Sequence, residues 1–226
     1  METNTQTASE NDSSKVNKNA NHLMVGILIF DQVEVLDVAG PFDVFSVTRL
    51  HEMRRFEDAS PFHIVLIAEN LDLVSSIGGL RLTPDVTFDG CPELDLLLVP
   101  GGLGTRKEVH NTALVKWISS RAYRTRLTAS VCTGSSLLGK AGLLDGRNAT
   151  THWRAFDFLS SCAPKAHIKK DVQFTLDEPI FTSAGVSAGI DLALRIVSHF
   201  FGSNVGQATA RHMEYPYPIT DHLRRD

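Results

Sequence analysis

A cysteine, a carboxylate and a pair of glycines are the residues of this chain whose types and spacing suit chemistry. Cys132 stands in the run Leu127-Thr-Ala-Ser-Val-Cys-Thr-Gly-Ser-Ser-Leu-Leu-Gly139. An apolar stretch leads into the thiol and a helical pattern follows, which reads as strand, sharp turn, helix. Small residues at Ser130 and Gly134 let the chain turn tightly around the sulfur, as in the serine elbow of α/β-hydrolases. A thiol at a helix N-terminus feels the positive end of the helix dipole, so its pKa is expected to fall and Cys132 to act as an activated nucleophile. The competing reading is a buried structural cysteine of a parallel sheet.

Five further positions belong with it. Gly101 and Gly102 follow an apolar run, and together with the Thr133 N–H their backbone N–H groups are suited to hold a developing negative charge. A plain strand-to-helix turn is the alternative. Asp37 lies among Val35, Leu36 and Val38, just before Gly40-Pro41. It either caps the coming helix or faces the crevice, where burial raises its pKa and suits it to donate or shuttle a proton. His152 is the best candidate for an imidazole near the thiol, with a satisfied histidine at a helix start as the other reading. Gly185, in Ser183-Ala-Gly-Val-Ser-Ala-Gly-Ile190, sits in a strand-to-helix turn without the lysine of a phosphate loop and reads as close packing around the site.

The elements that must position these residues alternate. Strands are expected over 23–30, 62–68, 94–100, 128–131, 148–151, 170–176 and 179–182, with a short hairpin arm over 80–86. Helical spacing runs from Val38, and then through 112–123, the stretch containing Leu138, 153–161, 190–201 and 207–214. Alternation of this kind predicts an α/β fold, a mostly parallel sheet sandwiched by helices in the flavodoxin-like manner. In such sheets the crevice lies at the carboxyl ends of the strands. The segments after Phe30, Val99 and Val131 all fall at such ends, so topology alone brings them together.

Composition narrows the function classes. The chain has 226 residues, 42% of them hydrophobic and 21% charged, with a net charge of −4. That is the profile of a globular domain without the basic footprint of a nucleic-acid or acidic-lipid binder. Arg121, Arg124 and Arg126 cluster at a helix end and read as a solvated terminus. No apolar run is long enough to span a bilayer. Three cysteines at wide spacing form no disulfide framework and fit a reducing, cytoplasmic setting. Nine scattered histidines support no metal site. Residues 1–21 have almost nothing apolar and are expected to be a disordered lead-in. Residues 22–214 form a single α/β domain, and 215–226 a tail rich in proline and charge.

From Met24 to Tyr215 the chain resembles the ThiJ/PfpI superfamily, relatives of the class I glutamine amidotransferases. The resemblance is carried by Val-Gly-Ile-Leu-Ile-Phe-Asp31, Leu-Asp37-Val-Ala-Gly-Pro-Phe-Asp43, Leu-Leu-Val-Pro-Gly-Gly102, Ser-Val-Cys132-Thr-Gly-Ser, Asn-Ala-Thr-Thr-His152-Trp and Thr-Ser-Ala-Gly185-Val-Ser-Ala-Gly-Ile-Asp191. Within it the chain is most similar to the isonitrile hydratase branch, and also to the sensor domain of AraC-type regulators. Those regulators carry a C-terminal helix-turn-helix module, which is not expected here. The resemblance implies a catalytic set of Cys132, Asp37 and Thr133, a covalent thioimidate, and an N-substituted formamide as product. It implies no metal or organic cofactor, a small-molecule substrate and a homodimer. The protease, deglycase and glyoxalase branches place His after the cysteine and Glu after the first strand. This chain has Thr133 and Asp37 there, which argues against their chemistries. A stand-alone sensor, or thiol chemistry on amides or carbonyls with His152, is the alternative.

Overall fold

The computed structural model describes residues 22–216. The expected lead-in over 1–21 and the tail beyond Pro216 lie outside the described residues. In chain order the elements are β1 (Leu23–Leu28), α1 (Val35–Val47), β2 (Phe62–Ala68), β3 (Val74–Ser75), β4 (Arg81–Leu82), β5 (Val86–Thr87) and β6 (Leu96–Val99). There follow α2 (Thr105–Glu108), α3 (Thr112–Ala122), β7 (Leu127–Ser130), α4 (Gly134–Lys140), β8 (Asn148–Ala149), α5 (Phe156–Cys162) and β9 (His167–Ile168). The chain closes with β10 (Phe174–Asp177), β11 (Ile180–Ser183), α6 (Ala188–Phe201) and α7 (Ser203–His212).

The central sheet has seven strands in the order β10-β11-β7-β6-β1-β2-β5. Every neighbouring pair is parallel except β10 with β11, which form a hairpin at one edge. Strands covered on both faces need apolar side chains pointing both ways, and β6 and β7 are buried at every residue. Helices α1, α6 and α7 pack together, and α2, α3 and α5 pack around α4. The two groups flank the sheet.

Three expectations shift. The arm anticipated over 80–86 is divided: β4 pairs with β3 in its own two-stranded ladder, while β5 joins the edge of the main sheet beside β2. The strand at 148–151 is only β8, paired with β9 outside the main sheet. Helix α1 begins at Val35 rather than Val38, so Asp37 falls inside its first turn. That shift decides the role of the carboxyl.

Candidate active site

The carboxyl ends of β1, β6, β7 and β11 meet as the topology requires. Cys132 follows β7 with a backbone φ of 55° and precedes α4. A left-handed cysteine costs about 1–3 kcal/mol and persists only where its surroundings fix it. Here they do. The Cys132 N–H donates to Ala184 O at 3.2 Å, and the Cys132 carbonyl accepts the hydroxyls of Thr151 at 2.9 Å and Ser135 at 3.1 Å. Val186, across the cavity, is also left-handed at φ 56°. For a β-branched residue that is a true outlier. Gln32, in the loop after β1, is a third such residue at φ 61°. Strain is thus concentrated where the three loops converge.

Asp37 does not cap its helix. It is fully buried, and Oδ2 accepts the Gly101 N–H at 2.9 Å across 64 residues of chain. Oδ1 accepts no hydrogen bond of ordinary geometry among the described residues, although the Cys132 thiol and the Val186 N–H approach the carboxyl. Burial pushes the Asp37 pKa up to about 7, with the charge of Glu34 adding to the rise. The Gly101 N–H, the Cys132 thiol and the Val186 N–H oppose it. The acid and the thiol are therefore direct neighbours, and one carboxyl oxygen is left to take or give a proton.

The thiol behaves differently from the expectation of a lowered pKa. Burial pushes Cys132 up to about 12, and the adjacent Asp37 charge raises it further. The Thr133 N–H and hydroxyl, the donors of the turn, pull the other way and only partly offset this. Desolvation of a nearly enclosed anion outweighs the dipole of a helix of seven residues. The resting sulfur is a thiol, and a carboxylate able to accept its proton sits against it.

The glycines also depart from their expected part. The Gly101 N–H is engaged by Asp37, and the Gly102 N–H donates to Thr133 Oγ1 at 3.0 Å. Neither N–H is free to hold a developing charge. Gly102, at φ 132°, packs so closely that a Cβ would stand 2.3 Å from Gln32 O. Gly134 donates its N–H to Val131 O and serves packing at the start of α4. The donors that do reach the sulfur both belong to Thr133.

Thr105 is a residue that sequence reasoning did not single out. It is fully buried at the start of α2. Its hydroxyl donates to Gly102 O at 2.7 Å and lies 3.0 Å from Thr133 Oγ1. Thr133 Oγ1 stands 3.1 Å from the same carbonyl. Thr105 holds Gly102 O with the shorter bond, and the Thr133 hydroxyl stands within reach of both that carbonyl and the sulfur. No local spacing signals this, because the two threonines are 28 residues apart.

His152 lines the cavity that contains Cys132. Its Nδ1 accepts the Arg154 N–H at 3.2 Å, capping the short 3-10 turn Trp153–Ala155. Its ring packs on Gly185, where a Cβ would come within 2.1 Å. The ring stands between two cavities. One, of about 330 Å³, is lined by Cys132, Thr133 and Gly102. The other, of about 550 Å³, is lined by Gly185 and Asp191. Gly185 therefore fits its reading as close packing.

A mostly parallel sheet with a left-handed cysteine after an interior strand, beside a buried acid, defines a class before any relative is considered: an α/β domain built around a strand–Cys–helix turn. The chain belongs to the DJ-1/PfpI family, whose model matches residues 24–199. It is 38% identical over 200 residues to an isonitrile hydratase from Pseudomonas putida, covering 88% of this chain and 82% of that protein. It is 26% identical over 198 residues to the HTH-type transcriptional regulator GbdR from Pseudomonas aeruginosa, covering 88% of this chain and about half (52%) of the regulator. Among solved structures, a ThiJ/PfpI family protein from Pseudomonas syringae superposes with a TM-score of 0.77 at 30% identity, covering 94% of this chain and 84% of that one.

Proposed function

We propose that this protein hydrates an isonitrile to an N-substituted formamide, with Cys132 as nucleophile and Asp37 as proton carrier. The observation that carries the reading is the Asp37–Cys132 pair: a protonated thiol against a buried carboxyl whose pKa is near neutrality. The similarity to the isonitrile hydratase supports the choice of substrate.

The reaction adds H and OH to one carbon, and a proton carrier beside a neutral thiol suits that need. Asp37 takes the Cys132 proton as the sulfur bonds to the terminal isonitrile carbon, and passes the proton to the same carbon. The product is a thioimidate, R–N=CH–S–Cys132. Asp37 then takes a proton from water as the oxygen bonds to that carbon and passes it to the substrate nitrogen, giving R–NH–CH(OH)–S–Cys132. As the C–S bond breaks, the sulfur leaves with its electron pair onto the two Thr133 donors, and Asp37 takes the hydroxyl proton and returns it to the sulfur. The formamide R–NH–CHO departs, and the sum is isonitrile plus water. No step routes through a metal or organic cofactor. The similarity to the family leads us to propose a homodimer working in the cytoplasm. Among the described residues no helix is long and apolar enough to cross a membrane.

A second reading has its own observation. GbdR and a second P. aeruginosa regulator, CdhR, match this chain over 198 and 160 residues. The domain would then bind a small amine or amino acid in the same cavity and transmit no chemistry. A paired assay separates the two. Formamide production from a bulky alkyl isonitrile, abolished in Cys132→Ala, supports the hydratase. No turnover, with a thermal midpoint raised by amines or amino acids, supports the sensor.

A further inference from the structure

The cavity that contains Cys132 is lined by the apolar side chains of Ile77, Leu103 and Val186 and by two basic ones. Arg106 of α2 and Arg154 both line it. Each guanidinium lies over an aromatic ring. Arg106 Cζ is 5.3 Å from the Phe158 ring centroid, and Arg154 Cζ is 4.5 Å from that of Trp153. Both rings belong to the segment running from Trp153 into α5. Stacking holds a guanidinium by its face and leaves its N–H edges to meet an oxyanion.

Those edges have no acceptor among the described residues. Five other arginines meet carboxylates: Arg55 with Glu52, Arg121 and Arg124 with Glu93, Arg126 with Asp95, and Arg147 with Asp177. Arg106 and Arg154 make no such pair there. The one carboxylate lining the cavity is Glu34. The two guanidinium groups line the cavity with Glu34, while the second carboxyl, Asp37, is fully buried against Cys132 and does not line it.

We infer that the substrate is anionic: an isonitrile whose substituent ends in a carboxylate, gripped by Arg106 and Arg154 while its hydrocarbon lies on Ile77, Leu103 and Val186. This specifies the substrate class of the hydratase reading and rests on it. A bidentate guanidinium–carboxylate contact suits two stacked arginines better than it suits any neutral tail.

The test uses a matched pair, pentyl isonitrile and 5-isocyanopentanoate, with the wild type and the variant Arg106→Gln/Arg154→Gln. The wild type is expected to prefer the carboxylate by at least tenfold in kcat/KM, mainly through KM, and the double variant to lose that preference. A second arm measures alkylation of the Cys132 peptide by iodoacetate relative to iodoacetamide, which reads anion recruitment without any hydration. The ratio is expected to fall at least fivefold in the double variant. Hydration of both isonitriles with no preference for the carboxylate, and an iodoacetate ratio indifferent to the arginines, overturns the anion site and leaves the hydratase standing. Hydration of neither, with an arginine-dependent iodoacetate ratio, overturns the hydratase and keeps the anion site.

Discussion

Two buried cysteines of this fold, Cys91 and Cys132, show what burial alone does and what it leaves out. Both are almost completely enclosed, and burial raises the pKa of each. At Cys91, just before β6, the strongest opposing influence is the nearby Arg121, and the thiol donates to the carbonyl of Pro92 at 3.4 Å. At Cys132 the strongest charged neighbour is a carboxyl, which raises the pKa further. Cys132 also has a left-handed backbone and lines a cavity. What separates them is therefore not sulfur acidity. The carboxyl that makes the Cys132 thiol a worse acid is, in the proposed reaction, the group that carries its proton.

The largest break in this comparison is by substitution of each thiol. Cys132→Ala is expected to lower formamide production at least a thousandfold, while Cys91→Ala leaves it within twofold. Equal losses would make the two cysteines equivalent and remove the reason for singling out one. The acid supplies the next effect. Asp37 must be ionised to receive the thiol proton, so kcat/KM is expected to fall about tenfold per unit as pH drops below about 7. A flat profile between pH 5 and 7 would contradict that assignment.

Thr105→Val sharpens the picture at one remove. The Gly102 carbonyl then recaptures the Thr133 hydroxyl, and kcat is expected to fall about tenfold, roughly 1.4 kcal/mol, with KM little changed. Thr105→Ser restores it, an outcome that a simple packing role for the methyl group would not give. The smallest effect is on stability. The folded pKa of Asp37 lies above its ordinary value of 3.8, so the fold favours the neutral acid. Its contribution is complete below that ordinary value and is lost as pH rises through about 7. Asp37→Asn should therefore stabilise the protein by about 1–3 kcal/mol at pH 8 and by little at pH 4, read from urea unfolding at the two pH values.

The parts of this molecule written in the sequence are those set by local pattern. The runs at β1 and β6 are apolar on both faces, so their strand character and buried position follow from composition. The order of the strands then forces the loops after Phe30, Val99 and Val131 to meet. Asp37 was legible as either a cap or an inward acid, and the helix start three residues earlier than expected settled it. What local pattern does not carry is the partner of each group. The Gly101 and Gly102 N–H groups have acceptors 64 and 31 residues away, and Thr105 and Thr133 meet only once α2 has docked beside α4. The acidity of Cys132 failed for the same reason. The helix dipole can be read from order along the chain, whereas desolvation by Asp37 and its surroundings belongs to the folded state.

The central claim is that Asp37 serves as the proton carrier of Cys132 and does not acidify it. The direct measurement is one pair of rates on Asp37→Asn at pH 8: alkylation of the Cys132 peptide by iodoacetamide, and hydration of an alkyl isonitrile. Loss of the carboxylate should lower the thiol pKa and speed alkylation, while hydration falls by at least a hundredfold. Hydration that rises or holds along with alkylation would contradict the account.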